Sequence, residues 1–183
     1  LADNSFTKTL VQALNTAGIN TISYTDYIPT PLISWAITHY SLDGGLILTA
    51  SHNPPNYNGI KFNTSNGAPA EKAVTEQIQH SANKAFQTKV QPYKTPGTHQ
   101  IKPAPFEDFS KAILKNIQKM GISIPKTFNK TLSIDTKHGA CAETWKTLAK
   151  QLGISINIIH ATPKQDFGNI EPNPTQYTQL PHP

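Results

Sequence analysis

Apolar positions along the chain switch repeatedly between helical and strand spacing, and that alternation predicts an α/β protein. Phe6, Leu10, Val11 and Leu14 fall on one helical face, with Asp3, Asn4 or Ser5 available as the cap and Gly18 as the stop. Residues 19–24 read as a short strand, and Pro31 opens a helix running to about Tyr40. Leu46-Ile47-Leu48-Thr49 is a continuous apolar run of the kind that marks a strand buried on both faces. Ile60 to Asn63 alternates again, placing Lys61 on the face opposite Ile60 and Phe62. Val74, Ile78, Ala82, Ala85 and Phe86 predict a helix over 70–86 with those positions turned inward.

Between Gln91 and Pro105 four prolines and Gly97 interrupt any period, which predicts a linker. Beyond it, Phe109, Ile113, Leu114 and Ile117 define a helix over 106–120 that Gly121 stops. A βαβ unit follows: a strand at Leu132–Asp135, a helix over Ala140–Leu152 with Trp145, Leu148 and Leu152 inward, and a strand at Ile154–Ile159. Such a unit needs a parallel strand pair. The pattern therefore divides the chain into a unit at 1–95, a linker at 96–105 and a second unit at 106–183. The tail from Gln165 carries four more prolines and no apolar period.

Composition narrows the classes. The 183 residues are 37% hydrophobic and 15% charged, a globular balance made polar by uncharged residues. No apolar run approaches the roughly 20 residues that span a bilayer, and the N-terminus has no signal-peptide pattern, so no membrane partner and a cytoplasmic location are expected. Cys141 is the single cysteine, which excludes an internal disulfide and a cysteine zinc cluster. The formal charge is +5, yet all 16 basic residues are lysine. Without the bidentate guanidinium a nucleic-acid partner is not expected. Lys111, Lys115 and Lys119 share a helical face that reads as solvated. The charge suits a small anion equally well.

The chemistry gathers where the apolar run ends. Ser51, His52, Asn53, Pro54, Pro55, Asn56, Tyr57, Asn58 and Gly59 make a polar, turn-rich loop over 49–59. In parallel α/β sheets, ligands collect at the carboxyl ends of strands, where Ser51 falls. Its hydroxyl suits a nucleophile or a carrier of a covalently bound group. Gly44, Gly45 and Gly59 would allow close approach of a ligand, and Lys61 could return an ammonium to the same spot. Spacing alone also fits an ordinary polar loop, because adjacent Ser and His make no triad and no Gly-x-Ser-x-Gly elbow is present. His39 and His138 read as single surface or loop histidines without partners.

The longer run Thr49-Ala50-Ser51-His52-Asn53-Pro54-Pro55-Asn56-Tyr57-Asn58-Gly59-Ile60-Lys61-Phe62 closely resembles the signature loop of the α-D-phosphohexomutase superfamily, which includes phosphoglucomutases and phosphomannomutases. Pro29-Thr30-Pro31, residues 63–70, Asp135-Thr136-Lys137-His138-Gly139-Ala140 and Asp166-Phe167-Gly168 resemble further pieces of that family in its order, with 63–70 closest to phosphoglucomutases. The resemblance implies two incomplete three-layer α/β/α units, domain 1 and part of domain 2.

It also implies a chemistry. Ser51 would be the phosphoserine that gives its phosphoryl group to a hexose 1-phosphate, passing through hexose 1,6-bisphosphate to hexose 6-phosphate. Mg²⁺ would be ligated through the Ser51 phosphate, and glucose 1,6-bisphosphate would act as activator. His52 and Asn53 would support the phosphate, and Lys61 would stabilise its charge or move a proton. For Lys61 a solvent-facing strand lysine is the competing reading. The family's Asp-Gly-Asp-x-Asp-Arg metal loop does not occur in the chain. An internal fragment with little or no mutase turnover by itself, completed by missing domains of a parent chain, is therefore expected. A non-catalytic module that binds phosphosugars or a partner is the alternative.

Overall fold

The computed structural model describes residues 4–51, 53–54, 56–86, 88, 95–123 and 129–170. Helix α1 (Asn4–Thr16) leads to strand β1 (Thr21–Tyr24), helix α2 (Thr30–His39), strands β2 (Gly44–Leu48) and β3 (Ile60–Thr64), and helix α3 (Lys72–Phe86). Then come β4 (His99–Lys102), α4 (Phe106–Lys119), β5 (Thr131–Asp135), α5 (Ala142–Leu152), β6 (Ser155–Ile159) and a 3₁₀ turn at Phe167–Asn169. The architecture is mixed α/β, as the periodicities predict. Strands join in three pairs: β1 with β4 parallel, β2 with β3 antiparallel, and β5 with β6 parallel.

The core centres on α2. Leu32, Ala36 and Ile37 are its buried residues, and the Pro31 ring sits in the first turn, where no amide donor is missed. On one side α2 meets β2, where a Cβ at Gly45 would lie 2.8 Å from Ile37 Cδ1 and 2.9 Å from Ile33 Cγ2. Gly45 thus serves helix–strand packing. Gly44 does the same across the hairpin, 2.8 Å from the Phe62 ring by the same measure. Neither lies open for a ligand, contrary to expectation. On its other side α2 meets α4, with the Trp35 and Phe109 rings 5.7 Å apart. Helix α4 in turn packs on α5, where Gln151 Nε2 donates to the Glu107 carbonyl at 3.0 Å. The solvated lysine face on α4 is as expected, Lys111, Lys115 and Lys119 all being exposed.

Several expectations change. Residues 99–102, expected to be linker, form β4, in register Thr21↔His99 to Tyr24↔Lys102. Prolines on both sides and a single isoleucine hide this strand from any periodicity. Its place is set by distant groups: Thr98 N–H and Oγ1 both donate to Asn20 Oδ1 (2.8 and 2.9 Å), and Asn15 Nδ2 donates to the Thr98 carbonyl at 3.0 Å. Strand β2 is covered by α2 on one face only, which leaves Leu46 36% exposed rather than buried on both faces. Helix α3 forms where predicted, but none of its described side chains is buried, and Ile78 is 47% exposed. Ala82 is exposed as well, and the Phe86 side chain lies outside the described set. Phe6, Ile60 and Trp145 are likewise exposed instead of inward. In α5 the buried positions are Ala142, Thr144 and Ala149, not the larger apolar residues.

Asn63 is the buried residue that alternation assigns to the solvent side. It is 1% exposed, and its Nδ2 donates to Ser34 Oγ at 3.0 Å and to the Gly67 carbonyl at 3.1 Å. Asn63→Ala is expected to cost about 2 kcal/mol, because the buried Gly67 carbonyl and the half-buried Ser34 hydroxyl lose their donor. Urea unfolding should show a lower midpoint at unchanged slope.

Candidate functional site

Residues 49–59 connect β2 to β3, so the candidate loop closes an antiparallel hairpin. The expectation of a loop at the mouth of a parallel pair is corrected here: β2 turns back on β3 instead of crossing over. The hairpin register Gly45↔Asn63, Leu46↔Phe62, Ile47↔Lys61, Leu48↔Ile60 carries the loop. Its base is closed by Thr49 N–H donating to the Gly59 carbonyl at 3.0 Å. Gly59 N–H is taken by Asn58 Oδ1 at 2.9 Å. Two turns then fold the loop, Asn53 N–H to the Ala50 carbonyl at 3.1 Å and Tyr57 N–H to the Pro54 carbonyl at 2.9 Å.

Ser51 is exposed and sits in the left-handed region at φ 58°. For an L-residue that conformation costs about 1 kcal/mol or more, and it concentrates at functional loops. Ser51 N–H donates to Thr49 Oγ1 at 2.9 Å. Asn53 is exposed in the same loop, and Lys61 is exposed on β3, two residues past the loop. His52 lies outside the described residues. The structure therefore places Ser51 and Asn53 together on one loop, with Lys61 on the strand that leaves it. Thr49 is the residue the spacing argument passed over. A hydroxyl two positions before a strained serine is the signal that would have found it.

A second cluster lies at the carboxyl ends of β5 and β6. Asp135 Oδ1 accepts from Lys137 N–H and from His160 Nδ1, both at 2.8 Å. His138 is buried, not a surface residue: its Nδ1 donates to the Thr162 carbonyl at 2.6 Å, and its ring lies 4.8 Å from that of His160. A Cβ at Gly168 would come within 2.7 Å of His138 Nε2, so the imidazole packs directly on the 167–169 turn. His39 stacks on Trp35 at 4.4 Å, so it too has a partner. Both histidines serve packing.

The Lys137 backbone N–H, followed by His160, holds the Asp135 carboxyl below the usual aspartate range. A depressed folded value means the contribution is complete above the unfolded aspartate value near pH 4 and is lost as pH falls through the folded one. Asp135→Asn should therefore lower stability by a constant amount above about pH 4 and flatten the acid limb of the stability–pH curve, the two proteins converging at low pH. Burial pushes the Cys141 thiol up, so it stays protonated and is a poor nucleophile.

Residues 2–89 match the family described as Phosphoglucomutase/phosphomannomutase, alpha/beta/alpha domain I. A phosphoglucomutase/phosphomannomutase of Thermococcus kodakarensis is 30% identical over 171 residues, 91% of this chain and 35% of that protein. Phosphoglucomutase-1 of Macaca fascicularis is 29% identical over 90% of this chain and 34% of its own length. The crystal structure of a "putative phosphomannomutase" from Thermus thermophilus superposes with a TM-score of 0.77 at 26% identity, covering 93% of this chain and 37% of that one. The α/β fold and the hairpin-borne serine loop define a phosphohexomutase-type domain. Residues 2–89 belong to the phosphoglucomutase/phosphomannomutase domain I family. The chain spans about 35% of the length of the curated relatives it matches.

Proposed function

We propose that this chain carries the phosphoryl-bearing serine of a phosphohexomutase that interconverts hexose 1-phosphate and hexose 6-phosphate, with glucose as the sugar. The observation that carries this reading is Ser51 itself, exposed in a strained conformation on the β2–β3 loop of the domain that matches the family. The serine oxygen holds a phosphoryl group and yields it to the free 6-hydroxyl of hexose 1-phosphate, whose proton leaves to a base. The P–O bond to serine breaks as the bond to the sugar forms, giving hexose 1,6-bisphosphate. After the sugar turns round, Ser51 takes the phosphoryl group from position 1 and hexose 6-phosphate leaves.

Within this proposal Lys61, on the strand leaving the loop, contributes positive charge near the transferring group. Asn53, with His52, supplies hydrogen bonds around the phosphate. Mg²⁺ would neutralise charge on that phosphate, this chain's contribution being the phosphate on Ser51. Among the described residues no three His, Cys, Asp or Glu side chains form a group that could hold a metal ion. Glucose 1,6-bisphosphate primes Ser51. The partners in this reading are hexose phosphate and the remaining domains of a longer parent chain. Among the described residues no helix is long and apolar enough to cross a membrane, which is compatible with work in the cytoplasm.

Phosphosite mapping by mass spectrometry, after incubation with glucose 1,6-bisphosphate, tests the proposal. Phosphate on Ser51 is expected. Phosphosugar binding without phosphoserine would favour the non-catalytic module instead.

A further inference from the structure

We propose that Thr49 is a positioning residue that fixes the backbone of Ser51. This inference rests on the proposed phosphoryl-carrier role of Ser51. It goes beyond that role by naming what holds the serine in place.

Thr49 is tied through its amide and its hydroxyl. Its N–H donates to the Gly59 carbonyl at 3.0 Å, which fixes it to the foot of β3, and it is half-buried. A Cβ at Gly59 would stand 3.3 Å from the Thr49 carbonyl oxygen, so the two loop ends approach closely. Its Oγ1 then accepts the Ser51 N–H at 2.9 Å. Ser51 is exposed and left-handed, at φ 58°. A left-handed serine reverts to the extended or right-handed region unless its surroundings compensate the strain. The Thr49 hydroxyl supplies such a compensation, reaching from the anchored end of the loop to its exposed turn.

The bond also sets a direction. With the Ser51 amide held back toward Thr49, the Cα–Cβ vector of Ser51 has a fixed relation to β2. A phosphate on Oγ would otherwise compete for that amide N–H, since anions attract the nearest backbone donor. The threonine hydroxyl keeps the amide engaged, and the phosphate stays directed to a substrate instead of folding onto its own backbone. The methyl group plays no part in this, so serine at position 49 should suffice and valine should not.

The test compares Thr49→Val, Thr49→Ser and wild type on the chain as it is. The initial rate of phosphoryl uptake at Ser51 from glucose 1,6-bisphosphate should fall about tenfold in Thr49→Val, the size expected for losing one hydrogen bond that orders a reacting group. Thr49→Ser should stay within about twofold of wild type. Independently of any phosphate chemistry, NMR of Ser51 reads its backbone. Amide exchange should be slowed and the Cα shift left-handed in wild type and Thr49→Ser, and both features lost in Thr49→Val.

A Thr49→Val protein that keeps the protected amide and the left-handed shift overturns the proposal. So does a loss of uptake that Thr49→Ser fails to restore. If wild type takes up no phosphate while the NMR contrast holds, the phosphoryl-carrier reading fails and the Thr49–Ser51 coupling stands. Should Thr49→Val not fold, rapid, unprotected exchange of the Ser51 amide in wild type is the outcome that overturns it.

Discussion

Ser51→Ala is expected to abolish phosphoryl uptake from glucose 1,6-bisphosphate, a fall of at least about 1,000-fold in rate. Alanine offers no oxygen at that point of the β2–β3 loop, and a covalent carrier cannot be replaced by a neighbour that only binds. The substitution separates chemistry from structure. Ser51 is exposed, so little packing is lost. Its N–H, which donates to Thr49 Oγ1, is a main-chain group that alanine retains. Stability should therefore change by no more than about 0.5 kcal/mol. Radiolabelled bisphosphate and a thermal melt, run side by side, check both halves. Undiminished labelling of the alanine variant would remove Ser51 from the chemistry.

Gly67→Ala should be the most damaging small substitution for the framework that carries the loop. Gly67 is buried at φ 80°, and an added Cβ would overlap the Ser34 carbonyl oxygen of α2 and stand 3.2 Å from Thr38 Cγ2. Its carbonyl accepts from Asn63 Nδ2 at 3.1 Å, and its N–H donates to the Thr64 carbonyl at 2.8 Å. The left-handed backbone alone costs about 1 kcal/mol for alanine, and the overlap with a rigid helix carbonyl adds more, about 3 kcal/mol in all. For a chain of this size that lowers the melting temperature by about 10 °C. Gly121→Ala is the control. Gly121 is also left-handed, at φ 74°, but among the described residues nothing lies within 4 Å of the added Cβ. It should show the conformational cost without the overlap, about 1 kcal/mol. Equal losses at the two positions would show that α2 does not press on the Gly67 turn.

Much of this was legible along the chain because it depends on neighbours. The caps and stops at Gly18, Pro31 and Gly121, the βαβ pattern from 131 to 159 and the turn-rich run from Ser51 to Gly59 are local features, and each lies where periodicity puts it. The serine loop was legible because its chemistry is a contiguous string of residue types, whose resemblance to one family the comparison over residues 2–89 supports.

Other features depend on what meets what across long sequence separations. The strand at 99–102 exists because β1 offers an edge and Asn15 and Asn20 hold Thr98 beside it, about eighty residues away in sequence. Asn63 points into the core because Ser34 and the Gly67 turn meet it there, a choice that alternation cannot see. His138 looks like a lone loop histidine until Thr162, His160 and Gly168 close around it. Sequence by itself determined the helices, most of the strands and the identity of the serine-bearing loop, since these follow from spacing and short-range chemistry. Only the tertiary structure decided the antiparallel hairpin under Ser51, the left-handed backbone of that residue and the burial of Asn63. Those are set by backbone geometry and long-range packing, which no local pattern encodes.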